Sequence, residues 1–415
     1  MTAASITLDR DPAAEAEASL EGPSDLAEDH YAWLRGNAPV FYDERQGGYV
    51  VSGYPEARAV LGDVEAFRSP RDGELEARHP DLFRTEISKI FALSILNTTG
   101  DTHRRLRDAL IPVFGPARMK TMRTYVEQVV NEIFDDIEPR MRRGEVIDFH
   151  QAISLEVPQA VVGDLIGVPV EERAHLRDIA SSMGMAMNFT ASEEKRAAAS
   201  QRFREIGDYF DRLIEQREIE PRDDLITMMV ASANAGAISK EEARNMCYII
   251  QLAGYDTTVS CMDSLITTLL AHPELGEQIA DDRSTMRFID EILRWRMTTK
   301  TANGVRYANE DIEIGGVTIP KDGEVFVIIG STHYDERVFP EPEKIDFTRR
   351  QGPSMTFGTG VHSCVGFPLA KLEMMVLLQA LRERMPDLVA AGEPVPQRQR
   401  TLVQYKSIPV TLPQG

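Results

Sequence analysis

Cysteine is scarce: Cys247, Cys261 and Cys364 are the only three in 415 residues. An odd number at such wide spacing gives no disulfide framework and suits a reducing compartment. Basic residues are outnumbered, 46 Lys and Arg against 66 Asp and Glu, so the formal net charge is −20. That balance argues against nucleic acid and against an anionic membrane surface as main partners. No apolar run reaches the roughly 18 residues that predict a membrane-spanning helix. The first stretch, MTAASITLDRDPAAEAEASLEGPSD, lacks both a basic region and an apolar core. It predicts neither signal peptide nor anchor; residues 1–22 read as a loose, flexible tail and the protein as cytoplasmic. Internal repeats, low-complexity linkers and a glycine fingerprint for flavin or nicotinamide are absent as well.

What is present is ordinary globular material, 42% hydrophobic and 27% charged. The apolar period is helical over 30–35, 55–61, 103–143 (with a break near Gly115-Pro116), 161–166, 171–187, 197–216 and 223–233. Strand character is confined to the patches 39–42, 48–52, 305–308, 312–319, 325–329 and 401–412. The expected architecture is mainly α with small antiparallel sheets, as one domain over 1–415. The longest element starts at Ser239, where Ser239 and Glu242 form a capping box, and should run to His272, before Pro273. About 32 residues at 1.5 Å each span roughly 48 Å, enough to cross a domain of this size. Within it, Ala253-Gly254-Tyr255-Asp256-Thr257-Thr258 lowers helix propensity in an otherwise apolar run. That predicts a local break holding a buried carboxylate.

The densest cluster of special residues is Phe357-Gly358-Thr359-Gly360-Val361-His362-Ser363-Cys364-Val365-Gly366, followed by an amphipathic run with Pro368 in its first turn. Cys364 therefore sits just upstream of a helix N-terminus, where unpaired N–H groups and the dipole favour thiolate over thiol. Such a residue can be a buried small hydrophobe, a nucleophile, a zinc ligand or the axial ligand of a haem iron. A nucleophile needs a base, and His362 two residues away on a loop points elsewhere; zinc wants four ligands where two are offered. The loop alone leaves the choice open.

As a string the loop resembles the haem-ligand signature of the cytochrome P450 family, F-G-x-G-x-H-x-C-x-G, at every fixed position. The central-helix string resembles that family's A-G-x-D-T-T, and Glu291-Ile292-Leu293-Arg294 its E-x-x-R. The likeness runs from about Ala27 to Pro413. It implies the P450 fold, a long central helix over the haem, and heme b (iron protoporphyrin IX) bound through Cys364. It also implies a monooxygenase that inserts one atom of O2 into a small or medium hydrophobic substrate of terpenoid, aromatic or secondary-metabolite type. The same scaffold can instead couple or desaturate a substrate, or run on peroxide. With no nucleotide fingerprint in the chain, electrons are expected from a ferredoxin-like partner, with Arg104 and Arg105 as candidates for docking it.

The resemblance further implies residue roles. Thr257 is expected to hold the reacting oxygen through its hydroxyl and Asp256 to relay protons, while Thr258 packs and Gly254 leaves room for oxygen. The haem propionates need cations, and His103, Arg107, Arg306 and His362 fall where the family places them. Asp101 and Thr102 should cap the helix that carries the first two. Ala253, Phe357, Gly358 and Gly366 complete the expected cofactor contacts. Glu291 and Arg294 are expected to form a structural network with either Arg349 or Arg350. Substrate walls are expected from residues 66–98 and from Ile250, Ala253, Tyr255, Ala302, Asn303, Thr401 and Leu402. A stripe of Ile179, Met183 and Met187, with Met185 and Phe189 beside it, is a further candidate wall, and Lys300 and Arg71 are candidates to meet an acid group on the ligand.

Overall fold

The computed structural model describes residues 9–21, 24–71, 73–80, 90, 94–181, 193–296, 298–302, 304–349, 354–397 and 401–414. Two compact units emerge, one from Met1–Arg68, Ser264–Cys364 and Pro394–Lys406, the other from Ser69–Asp263, Val365–Glu393 and Ser407–Gly415.

In the first unit a five-stranded sheet runs in the order Val40–Asp43, Gly48–Val51, Glu324–Val327, Arg306–Ala308, Phe67–Arg68. Val40 faces Val51 and Phe41 faces Val50 across a tight hairpin, as the alternating pattern predicts. Gly48–Val51 then pairs with Glu324–Val327 in parallel, with Tyr49 opposite Val325. This sheet is therefore mixed rather than purely antiparallel, which is allowed because a long crossover separates the two strands in sequence. The helix Tyr54–Gly62 lays Tyr54, Ala57, Val60 and Leu61 against Val51, Val325, Val327 and Met355 in one buried cluster. The expected strand 312–319 is instead a hairpin, Ile312–Ile314 against Val317–Ile319, turned by Gly315 and Gly316 at φ 57° and 78°. Two consecutive left-handed positions are what such a tight turn requires, and only glycine takes both without strain.

Residues 12–21 of the expected tail are folded. Pro12–Glu21 is helical, and Ala16 and Leu20 join Tyr31, Leu34 and Phe41 in a buried cluster. The buried Lys300 ammonium donates to the Leu20 carbonyl at 3.0 Å, placing a cation at this helix's C-terminal end. Lys300 is thus committed to the fold and not to a ligand.

In the second unit the helical pattern is close to expectation. Gly100–Leu110 passes through a 3-10 turn, Ile111–Phe114, into Pro116–Arg142, so the break falls at Gly115-Pro116. Thr99, not Asp101 or Thr102, takes the N-cap position; Asp101 instead accepts from Arg104 at 2.9 Å. Glu156–Ile166, Val170–Ser181, Glu193–Ile219 and Leu225–Asn234 follow. Met183, Met185, Met187 and Phe189 lie outside the described residues, as does the side chain of Ile179. A three-stranded antiparallel sheet joins Ile147–Asp148, Pro409–Thr411 and Val389–Ala390.

The central helix is Lys240–Ala271, 32 residues long. It opens on the expected reciprocal cap: Glu242 N donates to Ser239 Oγ at 3.0 Å, and Ser239 N donates to Glu242 Oε2 at 2.6 Å. The helix continues through 253–258 without the expected break, and Asp256 is half-buried rather than buried. The hydroxyls of Thr257 and Thr258 donate to the carbonyls of Ala253 and Gly254 at 2.5 and 2.9 Å, so the turn is reinforced by its own side chains. Among the described residues no single helix is long and apolar enough to cross a membrane.

Candidate functional site

The cysteine loop belongs to the first unit and is closed by its own backbone. Gly358 N donates to Met355 O at 2.8 Å, Ser363 N to Gly360 O at 3.1 Å, and Cys364 N to Phe357 O at 2.8 Å. Gly360 is required twice over: its φ is 69°, and a Cβ there would stand 2.7 Å from the Leu61 carbonyl oxygen. Gly358 is left-handed too, at φ 68°. The outcome is an exposed Cys364 flanked by half-buried Phe357 and His362. Gly366 takes the N-cap position of the helix Phe367–Arg384, with Pro368 in the first turn. The other two thiols are buried, and burial pushes the Cys247 thiol up to about 12. Cys364 is the thiol placed to serve as a thiolate.

Behind that loop lies a buried ionic network. Glu291 and Arg294 share one face of Asp282–Arg296 and pair as a fork, Nε to Oε2 at 2.9 Å and Nη2 to Oε1 at 2.8 Å, with Arg294 only 2% exposed. Arg294 also donates to the carbonyls of His333, Pro342 and Lys344 at 3.0, 2.8 and 3.1 Å. Arg349 completes the network, Nε to Glu291 Oε1 at 3.2 Å; Arg350 lies outside the described residues. The link to the loop runs through His333, a residue the sequence did not single out. Its Nε2 accepts from Met355 N at 3.0 Å, just ahead of Phe357.

Burial and the neighbouring Arg294 cation hold the His333 imidazole down at about 3, so it is neutral in the fold. The unfolded chain protonates this histidine near its ordinary value of about 6.5. Between those two values the unfolded state binds more protons, so His333 destabilises the fold progressively as pH falls from about 6.5 towards 3. His333→Gln is expected to flatten the dependence of stability on pH across that window, as read by denaturant midpoints.

The expected cation ligands are distributed over both units. Arg306, in the first, is 4% exposed, and its Nη1 donates to the Val305 carbonyl at 3.0 Å. Burial lowers its guanidinium to about 10, and no carboxylate among the described residues compensates it. A buried arginine without an anion fits a group that brings carboxylates of its own, as a haem brings two propionates. His362 is half-buried in the same unit. In the second unit His103 is buried and Arg107 half-buried on one face of Gly100–Leu110. Arg105 is not the exposed docking residue expected of it. It forks Glu242 at 2.6 and 2.7 Å, and that hydrogen-bonded pairing holds the Glu242 carboxyl at about 2. Arg104 stays exposed.

On the central helix, Asp256 and Thr257 are half-buried and Ala253 is exposed amid buried Ile250, Gln251 and Tyr255. An exposed alanine there marks open space beside the Ala253–Thr257 face. Gly254 does not face that opening: a Cβ on it would come within 3.1 Å of Val162 Cγ2, so the glycine permits close packing against Glu156–Ile166. The first unit brings the other expected wall residues together. Thr299 bridges Leu402, Lys300 N donates to Thr401 O at 2.9 Å, and Ala302 N donates to Val327 O at 2.9 Å. Asn303 lies outside the described residues.

Known proteins resemble this chain in sequence and fold. The chain is 32% identical over 394 residues to the 6-deoxyerythronolide B hydroxylase of Saccharopolyspora erythraea, covering 92% of this chain and 95% of that protein. It is 30% identical to Cytochrome P450 BJ-3 of Bradyrhizobium diazoefficiens, covering 92% of each. The structure of P450BioI in complex with hexadec-9Z-enoic acid ligated acyl carrier protein matches with a TM-score of 0.83 at 27% identity, covering 93% and 98%. The family described as Cytochrome P450 matches residues 49–385. The chain whose glycine loop presents Cys364 therefore belongs to the cytochrome P450 family of haem monooxygenases.

Proposed function

We propose that the protein, as one cytoplasmic P450 domain, inserts one atom of O2 into a small or medium hydrophobic secondary metabolite, with electrons from a ferredoxin-like partner. Relatives named 6-deoxyerythronolide B hydroxylase and mycinamicin IV hydroxylase/epoxidase support that substrate class. The observation that carries the reading is the Asp256–Thr257 acid–alcohol pair beside exposed Ala253.

Bound as heme b, the cofactor supplies the redox chemistry that activates O2, with the thiolate pushing electron density towards the metal. Cys364 would hold its iron, and Arg306, His362, His103 and Arg107 would neutralise its propionates. Asp256 accepts a proton from solvent and hands it to Thr257 Oγ1. The Thr257 hydroxyl donates to the Ala253 carbonyl at rest, which leaves its oxygen lone pairs to accept. It takes the proton from Asp256 and turns its own hydrogen to the reacting oxygen: one proton in, one out, the alcohol unchanged. The buried Ile250 and Tyr255, with Ala302, Thr401 and Leu402, orient the substrate.

The reading is tested by turnover under labelled O2 with a surrogate ferredoxin and its reductase. A product carrying one labelled oxygen atom is expected; an unlabelled product would mark coupling or desaturation, and full turnover on peroxide alone a peroxide-driven enzyme. The docking role rests on Arg104, since Arg105 is engaged with Glu242. Arg104→Glu is expected to slow reduction several-fold at low salt and leave substrate affinity unchanged. Stopped-flow reduction at two ionic strengths checks this.

A further inference from the structure

Two polar groups of the central helix, Ser260 and Asp263, are left unused by the reactions above. Asp256, Ser260 and Asp263 follow at intervals of four and three, which puts them on one stripe of Lys240–Ala271. Ser260 and Asp263 are fully buried, as are Val259 and Met262, which precede them in sequence. A carboxylate so placed is costly unless paired. Its partner is His150, whose Nδ1 lies 2.9 Å from Asp263 Oδ2 and 3.1 Å from Oδ1.

His150 is itself 6% exposed and opens a π-helical turn, His150–Ser154, a rare conformation that concentrates at functional sites. Asp148 anchors that turn. Its Oδ1 accepts from the backbone N–H of His150 at 3.1 Å, of Gln151 at 3.4 Å and of Ile408 at 3.0 Å. A strand end, a π-helical turn and a buried acid thus converge to fix one imidazole against the stripe that ends at Asp256.

We propose that His150, Asp263 and Ser260 form an internal proton path that recharges Asp256; the idea rests on the reading of Asp256 as proton donor to Thr257. As His150 takes a proton on Nε2, its Nδ1 proton passes to the Asp263 carboxylate. Asp263 protonates the Ser260 oxygen as the Ser260 hydroxyl hydrogen moves to Asp256. The relay leaves His150 as its Nε2–H tautomer, and tautomer exchange with solvent protons restores the Nδ1–H form, so one proton has passed from solvent to Asp256 with no change in electron count. Residues one turn apart have Cβ atoms about 5–6 Å apart, a gap that the serine hydroxyl with a bridging water spans. These three are positioning residues, acting through Asp256.

The test uses the haem-loaded protein in four forms: wild type, Ser260→Ala, Ser260→Thr and Asp256→Asn. Expected is a several-fold fall in the share of reducing equivalents recovered as product in Ser260→Ala, with a larger solvent deuterium effect, unchanged spectral affinity for substrate and recovery in Ser260→Thr. Independently of turnover, the His150 ring resonances, followed by NMR in the ferrous carbon monoxide form, are expected to shift in Asp256→Asn. Wild-type yield in Ser260→Ala together with unshifted His150 ring resonances in Asp256→Asn would overturn the path while leaving Asp256 in its role, provided Asp256→Asn itself loses yield. Full yield in Asp256→Asn would overturn both.

Discussion

Arg294→Ala is expected to cost about 3–5 kcal/mol, because it strands the Glu291 carboxylate in the interior and removes the fork that holds it. Arg294 is 2% exposed and spends its donors on Glu291 and on the carbonyls of His333, Pro342 and Lys344. Each of those acceptors would also lose a partner. Set against a usual folding free energy of about 5–15 kcal/mol, the loss is a large fraction of the stability. Arg294→Lys should be almost as damaging, since an ammonium cannot reproduce the planar fork. Arg349→Ala is expected to be milder, because Glu291 keeps its bond from Arg294 and from the Asp346 N–H at 2.9 Å. Denaturant midpoints and haem content measured on the three variants check the ranking. Equal stability of Arg294→Ala and wild type would remove the network from its assigned role.

Asp256→Asn is expected to lower product formation by about 10²-fold, the lower end of what a positioned acid contributes. An amide keeps the size of the carboxyl but cannot carry a proton to Thr257. Substrate affinity and haem loading should not change, since Asp256 is half-buried on the helix and the propionate cations lie elsewhere in sequence. Parallel measurement of substrate-induced spectral shifts and product yield separates the two effects. A tenfold or larger loss of affinity with normal turnover at saturation would assign Asp256 to binding instead.

Residues with a local physical reason were legible in the sequence. The Ser239–Glu242 box, the break at Gly115-Pro116 and the glycine positions of the Cys364 loop each follow from backbone chemistry within a few residues. Partners remote in sequence were not. Arg105 read as exposed because Glu242, which claims it, is 137 positions away, and Lys300 read as a ligand contact because its acceptor is the Leu20 carbonyl. Pro12–Glu21 was hidden for a related reason: an acidic, alanine-rich stretch buries only Ala16 and Leu20 in its cluster, against Tyr31 and Leu34. Gly254 was placed correctly on the helix, but the Val162 side chain that explains it lies on another element. The choice between Arg349 and Arg350 needed the fold of 340–349, whose carbonyls of Pro340, Glu341 and Lys344 gather Arg349.

The whole account depends on the sulfur of Cys364 being the iron ligand. The measurement is the carbon monoxide difference spectrum of the reduced, purified protein, recorded for wild type and for Cys364→Ala at equal protein concentration. The wild type should show the red-shifted Soret band of a thiolate-ligated haem, and the variant should lose it. A wild type without that band, or a Cys364→Ala protein that retains it, would contradict the assignment.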